Sequence, residues 1–123
     1  MPNSRRSSQG LTGLTYQILL ALAENPQHGY GILKEMEERG GPSAVPSTGA
    51  LYLALQRMES GGLIAGAPAP KSPPSDARRR YYRITEHGRE VAREESRRLA
   101  VLVSTARDRA LLGETLEPKR GKA

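Results

Sequence analysis

Few side chains in this sequence are placed to do covalent chemistry. The two histidines, His28 and His87, each stand near the start of a helical pattern, and neither has a second ligand at metal-binding spacing. Cysteine is absent, which excludes disulfides, zinc–thiolate sites, iron–sulfur clusters and cysteine nucleophiles. Glu90, Glu94 and Glu95 recur at helical spacing with Arg93, Arg97 and Arg98, as ordinary pairs lacing the outer face of a helix do. No nucleophile-plus-base arrangement can be read, so neither an enzyme, a metal nor a cofactor is expected. Cation chemistry remains. Residues 68–84 carry Lys71, Arg78, Arg79, Arg80 and Arg83 against the single carboxylate of Asp76, a local charge of +4. Three consecutive arginines in an exposed loop suit contact with phosphate or with a minor groove. A run of that kind taken alone is also a common solubilising feature.

Charge is distributed unevenly along the chain. With 19 Lys and Arg against 13 Asp and Glu in 123 residues, the formal charge is +6. Residues 1–10 contribute +2 and read as a flexible basic arm, whereas residues 11–67 sum to −2. The stretch 85–112 and the tail 113–123 contribute +1 each. The basic balance thus belongs to the ends and to the loop region, and it points to an anionic partner. The longest strongly apolar run, residues 18–23, is six residues against the roughly 20 needed to span a bilayer, so no membrane contact and a cytoplasmic location are expected. A hydrophobic content of 37% is low for one domain of this length, which points to a core shared with a partner chain or to unordered ends.

The elements that would carry the cations follow from periodicity. Leu11, Leu14, Ile18, Leu19 and Leu22 are spaced for a helix over 11–24, broken by Asn25-Pro26. A second helix runs from about 29 to 39 and stops at Gly40-Gly41-Pro42. A third, capped by Ser47 or Thr48, occupies about 50–60. At 100° per residue Leu51, Ala54, Leu55 and Met58 share its core face, and Gly49, Leu53, Gln56 and Ser60 share the other, flanked by Tyr52 and Arg57. Residues 63–67 and 78–84 read as two strands around a Pro-rich loop. Thr85 caps a final helix expected to reach about 112, with Gly88 a weak point in its first turn.

Together these make a mainly α fold with a small β-hairpin, the plan of a winged helix-turn-helix over 11–84 with one long C-terminal dimerisation helix over 85–112. The third helix has the two faces that a recognition helix needs, with Ser47, Thr48 and Gly49 at its positive end. The last helix carries one apolar stripe of Leu99, Leu102, Val103, Ala106 and Ala110 with little of its own chain to cover it. A homodimer is therefore expected, with Leu14 and Ile18 of the first helix supplying the rest of the interface.

Several segments in this order are similar to the PadR family of transcriptional regulators. His28-Gly29-Tyr30-Gly31-Ile32 resembles the opening of that family's second helix. Ser47-Thr48-Gly49-Ala50-Leu51-Tyr52, with Leu55-Gln56-Arg57-Met58-Glu59 and Gly62-Leu63-Ile64, resembles its recognition-helix signature. Arg80-Tyr81-Tyr82-Arg83-Ile84-Thr85-Glu86-His87-Gly88 resembles its passage from wing to last helix, and Leu11-Thr12-Gly13-Leu14 its first helix start. The resemblance implies a homodimeric winged-helix DNA-binding protein, usually a repressor, of the short branch with a single terminal helix. It departs at Leu53, where members often have proline. It also departs in having no Trp, the residue with which some short members hold flat aromatic drugs between subunits. A small-molecule effector at a dimer interface lined by tyrosine and aliphatic residues stays open.

On this reading double-stranded DNA is the partner. Tyr30, Ser47, Thr48, Gly49, Tyr52, Gln56, Arg57, Lys71, Arg78, Arg79 and Arg80 are its expected contacts. Strand alternation puts Tyr82 with Ile84 on the core side and Tyr81 outward with Arg79 and Arg83. Tyr16 belongs to the core or the interface, and Gly29-x-Gly31 lacks the third glycine of a dinucleotide loop. The alternative is a winged-helix module for protein contact or an architectural role without sequence readout.

Overall fold

The structure is a computed structural model that describes residues 11–41, 45–70 and 79–113. The expected arm, Lys71, Arg78 and nearly all of the expected tail lie outside the described residues. The elements run α1 (Gly13–Leu22), β1 (Gln27–His28), α2 (Gly29–Gly40), α3 (Thr48–Ser60), β2 (Ile64–Ala67), β3 (Tyr81–Ile84) and α4 (Glu86–Asp108).

Each helix begins on a side-chain acceptor. Thr12 takes the N–H of Thr15 at 3.2 Å, His28 Nδ1 that of Gly31 at 3.1 Å, Ser47 that of Ala50 at 3.1 Å and Thr85 that of Gly88 at 2.9 Å. Helix α3 closes with Gly62 in the left-handed region at φ +80. The Gly62 N–H donates to the Glu59 carbonyl at 3.1 Å and the Leu63 N–H to the Met58 carbonyl at 2.9 Å. The same two-bond closure ends α4 early. Ala110 sits at φ +60, its N–H donates to Arg107 and that of Leu111 to Ala106. The helix therefore stops at Asp108 rather than near Leu112, and Ala110, expected on its apolar stripe, lies beyond it.

The wing is a three-stranded antiparallel sheet in the order β1-β3-β2, not a hairpin alone. Ile64 pairs with Ile84 and Ala67 with Tyr81, while on the other edge Gln27 pairs with Tyr82 and His28 with Tyr81. The added strand changes the fate of Tyr81. The residue expected outward is 5% exposed, because the His28 ring packs edge-on to it at 5.2 Å.

Helix α1 is central and packs on α2, α3, α4 and β3. Its Ile18, Leu19 and Leu22 join Ile32 and Met36 of α2, Leu51 and Leu55 of α3, and Ile64 in a fully buried core. Ile18 is 0% exposed within one chain, so it cannot be the interface residue it was expected to be. Helix α4 lies against this body through its first half only. Val91 and Ala92 touch the core, the Tyr16 and Ser96 hydroxyls hydrogen-bond at 2.7 Å, and Arg89 donates to the Ala23 carbonyl at 3.0 Å.

Glu95 also departs from expectation. It is not part of the outer charge lacing but is 5% exposed, held by Arg98 through two hydrogen bonds of 3.0 and 2.6 Å. The Arg98 hydrogen bonds hold its carboxyl below the usual range and the Leu11 backbone adds to this, while burial opposes it. A carboxyl depressed by folding stabilises fully above its unfolded value of about 4.3 and loses that contribution as pH falls through its lower folded value. The melting temperature of the wild type is thus expected to fall below about pH 4 more steeply than that of Glu95→Gln. Parallel acid limbs in thermal scans would show that the pair is energetically silent.

Candidate nucleic-acid interface

The outward side of α3 is open. Ser47, Thr48, Gly49, Tyr52, Leu53, Gln56, Arg57 and Ser60 are all exposed, with the first three at the positive end of the helix dipole. Tyr52 does more than face outward. Its hydroxyl end lies against the start of α2, where a Cβ on Gly29 would fall 2.3 Å from Oη. The bare backbone at Gly29 lets the Tyr52 side chain lie in this position, from which a larger residue would displace it.

Beside this contact is a cluster absent from the expected set as a unit. The Tyr30 ring, 55% exposed, stacks parallel to His28 at 6.3 Å. Lys34 Nζ and the Arg79 guanidinium each lie over that ring, at 5.9 and 5.8 Å from its centroid. Arg79 Nη1 lies 2.8 Å from His28 Nε2, so the residue that caps α2 also touches the root of the wing. Lys34 was not among the expected contacts, although it stands one helical turn from Tyr30 on α2, the spacing that places two residues on one face.

Arg80 is engaged differently from its neighbour. Its Nη2 donates to Glu59 Oε2 at 2.5 Å and its guanidinium lies 5.3 Å from the Tyr82 centroid. The Glu59 hydrogen bond and charge raise its pKa above the ordinary arginine value. Arg80, expected on DNA phosphate, thus ties the wing root to the end of α3.

Between α1 and α4 a groove of about 370 Å³ is lined by Leu19, Leu20, Ala23, Ile84, Arg89 and Arg93 among others, with no tyrosine. Among the described residues no group of His, Asp or Glu could hold a metal ion, and no helix is long and apolar enough to cross a membrane.

The sequence signature of the transcriptional regulator PadR-like family matches residues 18–94. The chain belongs to the PadR-like family. The matched span runs from the middle of α1 through α2, α3 and the sheet to Glu94 of α4, and so includes the α3 face and the Tyr30 cluster. Solved PadR-like structures share the fold. A PadR-like transcriptional regulator from Bacillus cereus is 30% identical, with a TM-score of 0.66 over 82% of this chain and 93% of that one. A PadR family transcription regulator from Clostridium difficile is 26% identical, with a TM-score of 0.66 over 77% of this chain and 95% of that one. Bacillus subtilis PadR, solved in complex with operator DNA, is 21% identical with a TM-score of 0.55, over 66% of this chain and 45% of that one. Curated protein sequences give no match. The PadR-like chain described here is a winged-helix transcriptional regulator, with a mainly helical body and a small antiparallel sheet.

Proposed function

We propose that this PadR-like protein is a homodimeric repressor of a pseudo-palindromic operator in double-stranded DNA. Each subunit places α3 in the major groove, one helical turn of DNA from its partner, and the wing follows the flanking backbone or minor groove. Residues 11–84 form the DNA-binding unit and the helix from 85 onward the dimerising one, in a cytoplasmic protein. The observation that carries this reading is the exposed, nearly uncharged outer side of α3 with the Lys34–Tyr30–Arg79 cluster close to its first turns. Phosphate contacts supply affinity there, and neutral side chains supply readout. The fold likeness to Bacillus subtilis PadR, solved on operator DNA, is in keeping with it.

The test is selection of bound sites from random DNA, followed by titration of the selected and a scrambled duplex across a salt series. Two half-sites about 10 base pairs apart are expected. Salt-sensitive binding that ignores sequence would mean an architectural module instead. Within that assay Arg79→Ala is expected to weaken binding to every sequence and to lower the salt slope by about one. Arg80→Ala, which breaks the Glu59 contact, is expected to leave the slope nearly unchanged. Equal slopes for wild type and Arg79→Ala would remove the wing root from phosphate binding.

A further inference from the structure

The outermost line of α3 is Gly49, Leu53, Gln56 and Ser60, spaced four, three and four residues apart and so superposed on one side of the helix. Leu53 stands in the middle of it with 46% of its surface exposed, whereas Leu51 and Leu55 of the same helix are fully buried. It belongs neither to the core nor to the residues packed against the core. Gly49, one turn earlier, is equally unexplained from within. Nothing lies within 4 Å of where its Cβ would be, and its φ is not in the left-handed region, so the fold would accept alanine, the better helix former. An apolar side chain in water beside a bare stretch of backbone suits an external surface that comes close and offers an apolar group. A second copy of this face is disfavoured by like charge, since Arg57 flanks the line and Lys34 and Arg79 lie close by. A DNA major groove is complementary in charge, and its one apolar feature is the C5-methyl of thymine.

We infer that Leu53 packs on a thymine C5-methyl, so that each half-site specifies thymine beside the base pair that Gln56 reads, with Gly49 allowing the backbone to approach. The inference rests on the DNA-binding reading above. Its test uses the selected operator with each thymine replaced in turn by deoxyuridine, which lacks only that methyl, and follows binding by fluorescence anisotropy.

One symmetry-related pair of positions is expected to weaken wild-type binding by about fourfold per half-site, the worth of one buried methyl. Leu53→Ala is expected to show a comparable loss on the thymine operator and no further loss on the deoxyuridine one. Its melting temperature should match the wild type, since Leu53 lies outside the core. Indifference of the wild type to every replacement, or the same deoxyuridine penalty in Leu53→Ala, would overturn the inference while leaving DNA binding intact. A change of mass in Leu53→Ala would assign this face to a second copy and overturn it too. Absence of specific binding by the wild type would overturn both readings.

Discussion

Gly88→Ala is expected to destabilise the protein by about 3 kcal/mol and to lower its melting temperature by about 10 °C. A Cβ at this position would lie 2.2 Å from the Leu63 carbonyl oxygen and 3.0 Å from Ile84 Cγ1. Neither neighbour is free to retreat. The Leu63 carbonyl accepts the Thr85 N–H at 3.1 Å and the Thr85 hydroxyl at 3.0 Å, and the Leu63 N–H in turn closes α3 on Met58. Ile84 is buried in the core. The added methyl must therefore push the first turn of α4 away from the turn between α3 and β2. The same displacement would change where α4 leaves the body, and with it the spacing of two recognition helices in a dimer. Gly13→Ala is the control, because nothing lies within 4 Å of its Cβ position and it should be neutral or slightly stabilising. Equal melting temperatures for wild type and Gly88→Ala would show that the close approach is not maintained in solution.

Leu102→Glu is expected to halve the mass measured by light scattering. It should weaken binding to a two-half-site operator on the order of 100-fold, since the second half-site would no longer be engaged as part of one molecule. Beyond Leu99, α4 leaves Val101, Leu102 and Val103 64%, 51% and 43% exposed, and Leu111 after its end is 76% exposed. Large apolar side chains left this exposed are costly in water and suit a surface that a second copy of the chain would cover. Leu14, Leu99 and Ala106, all expected at the interface, are half-buried in the single chain. Glutamate at 102 would carry an unpaired charge into the contact. Leu102 takes no part in the core, so the variant should keep the fold and the melting behaviour of a monomer. A variant that remains dimeric, or a wild type that is monomeric, would sink the assignment of α4 as the dimerisation helix.

Much of this molecule was legible without coordinates. The three short helices, the two strands flanking the loop and the long last helix appear in the expected order. Ser47 and Thr85 cap α3 and α4 as anticipated, and Leu51, Leu55 and Met58 line the buried side of α3. These features depend on neighbours within a turn or two. Hydrophobic period, a capping oxygen and a left-handed glycine act over that range, so their signal is written in adjacent residues.

Side-chain partners distant in sequence were beyond that range. The two-residue strand β1 is too short to show a period, and only its pairing with β3 turns Tyr81 inward. Arg79 and Arg80 are adjacent and chemically alike, yet one meets His28, 51 residues away, and the other Glu59, 21 residues away. Glu95 is one of three similar glutamates on α4, and packing alone selects it for burial. Gly88 looks locally like a weakness in a helix, and the Leu63 carbonyl 25 residues earlier makes it a requirement. Periodicity thus determined which elements form and which of their sides is apolar. Tertiary packing decided which side chain each arginine meets and which apolar residues are left exposed, because both depend on atoms brought together from distant parts of the chain.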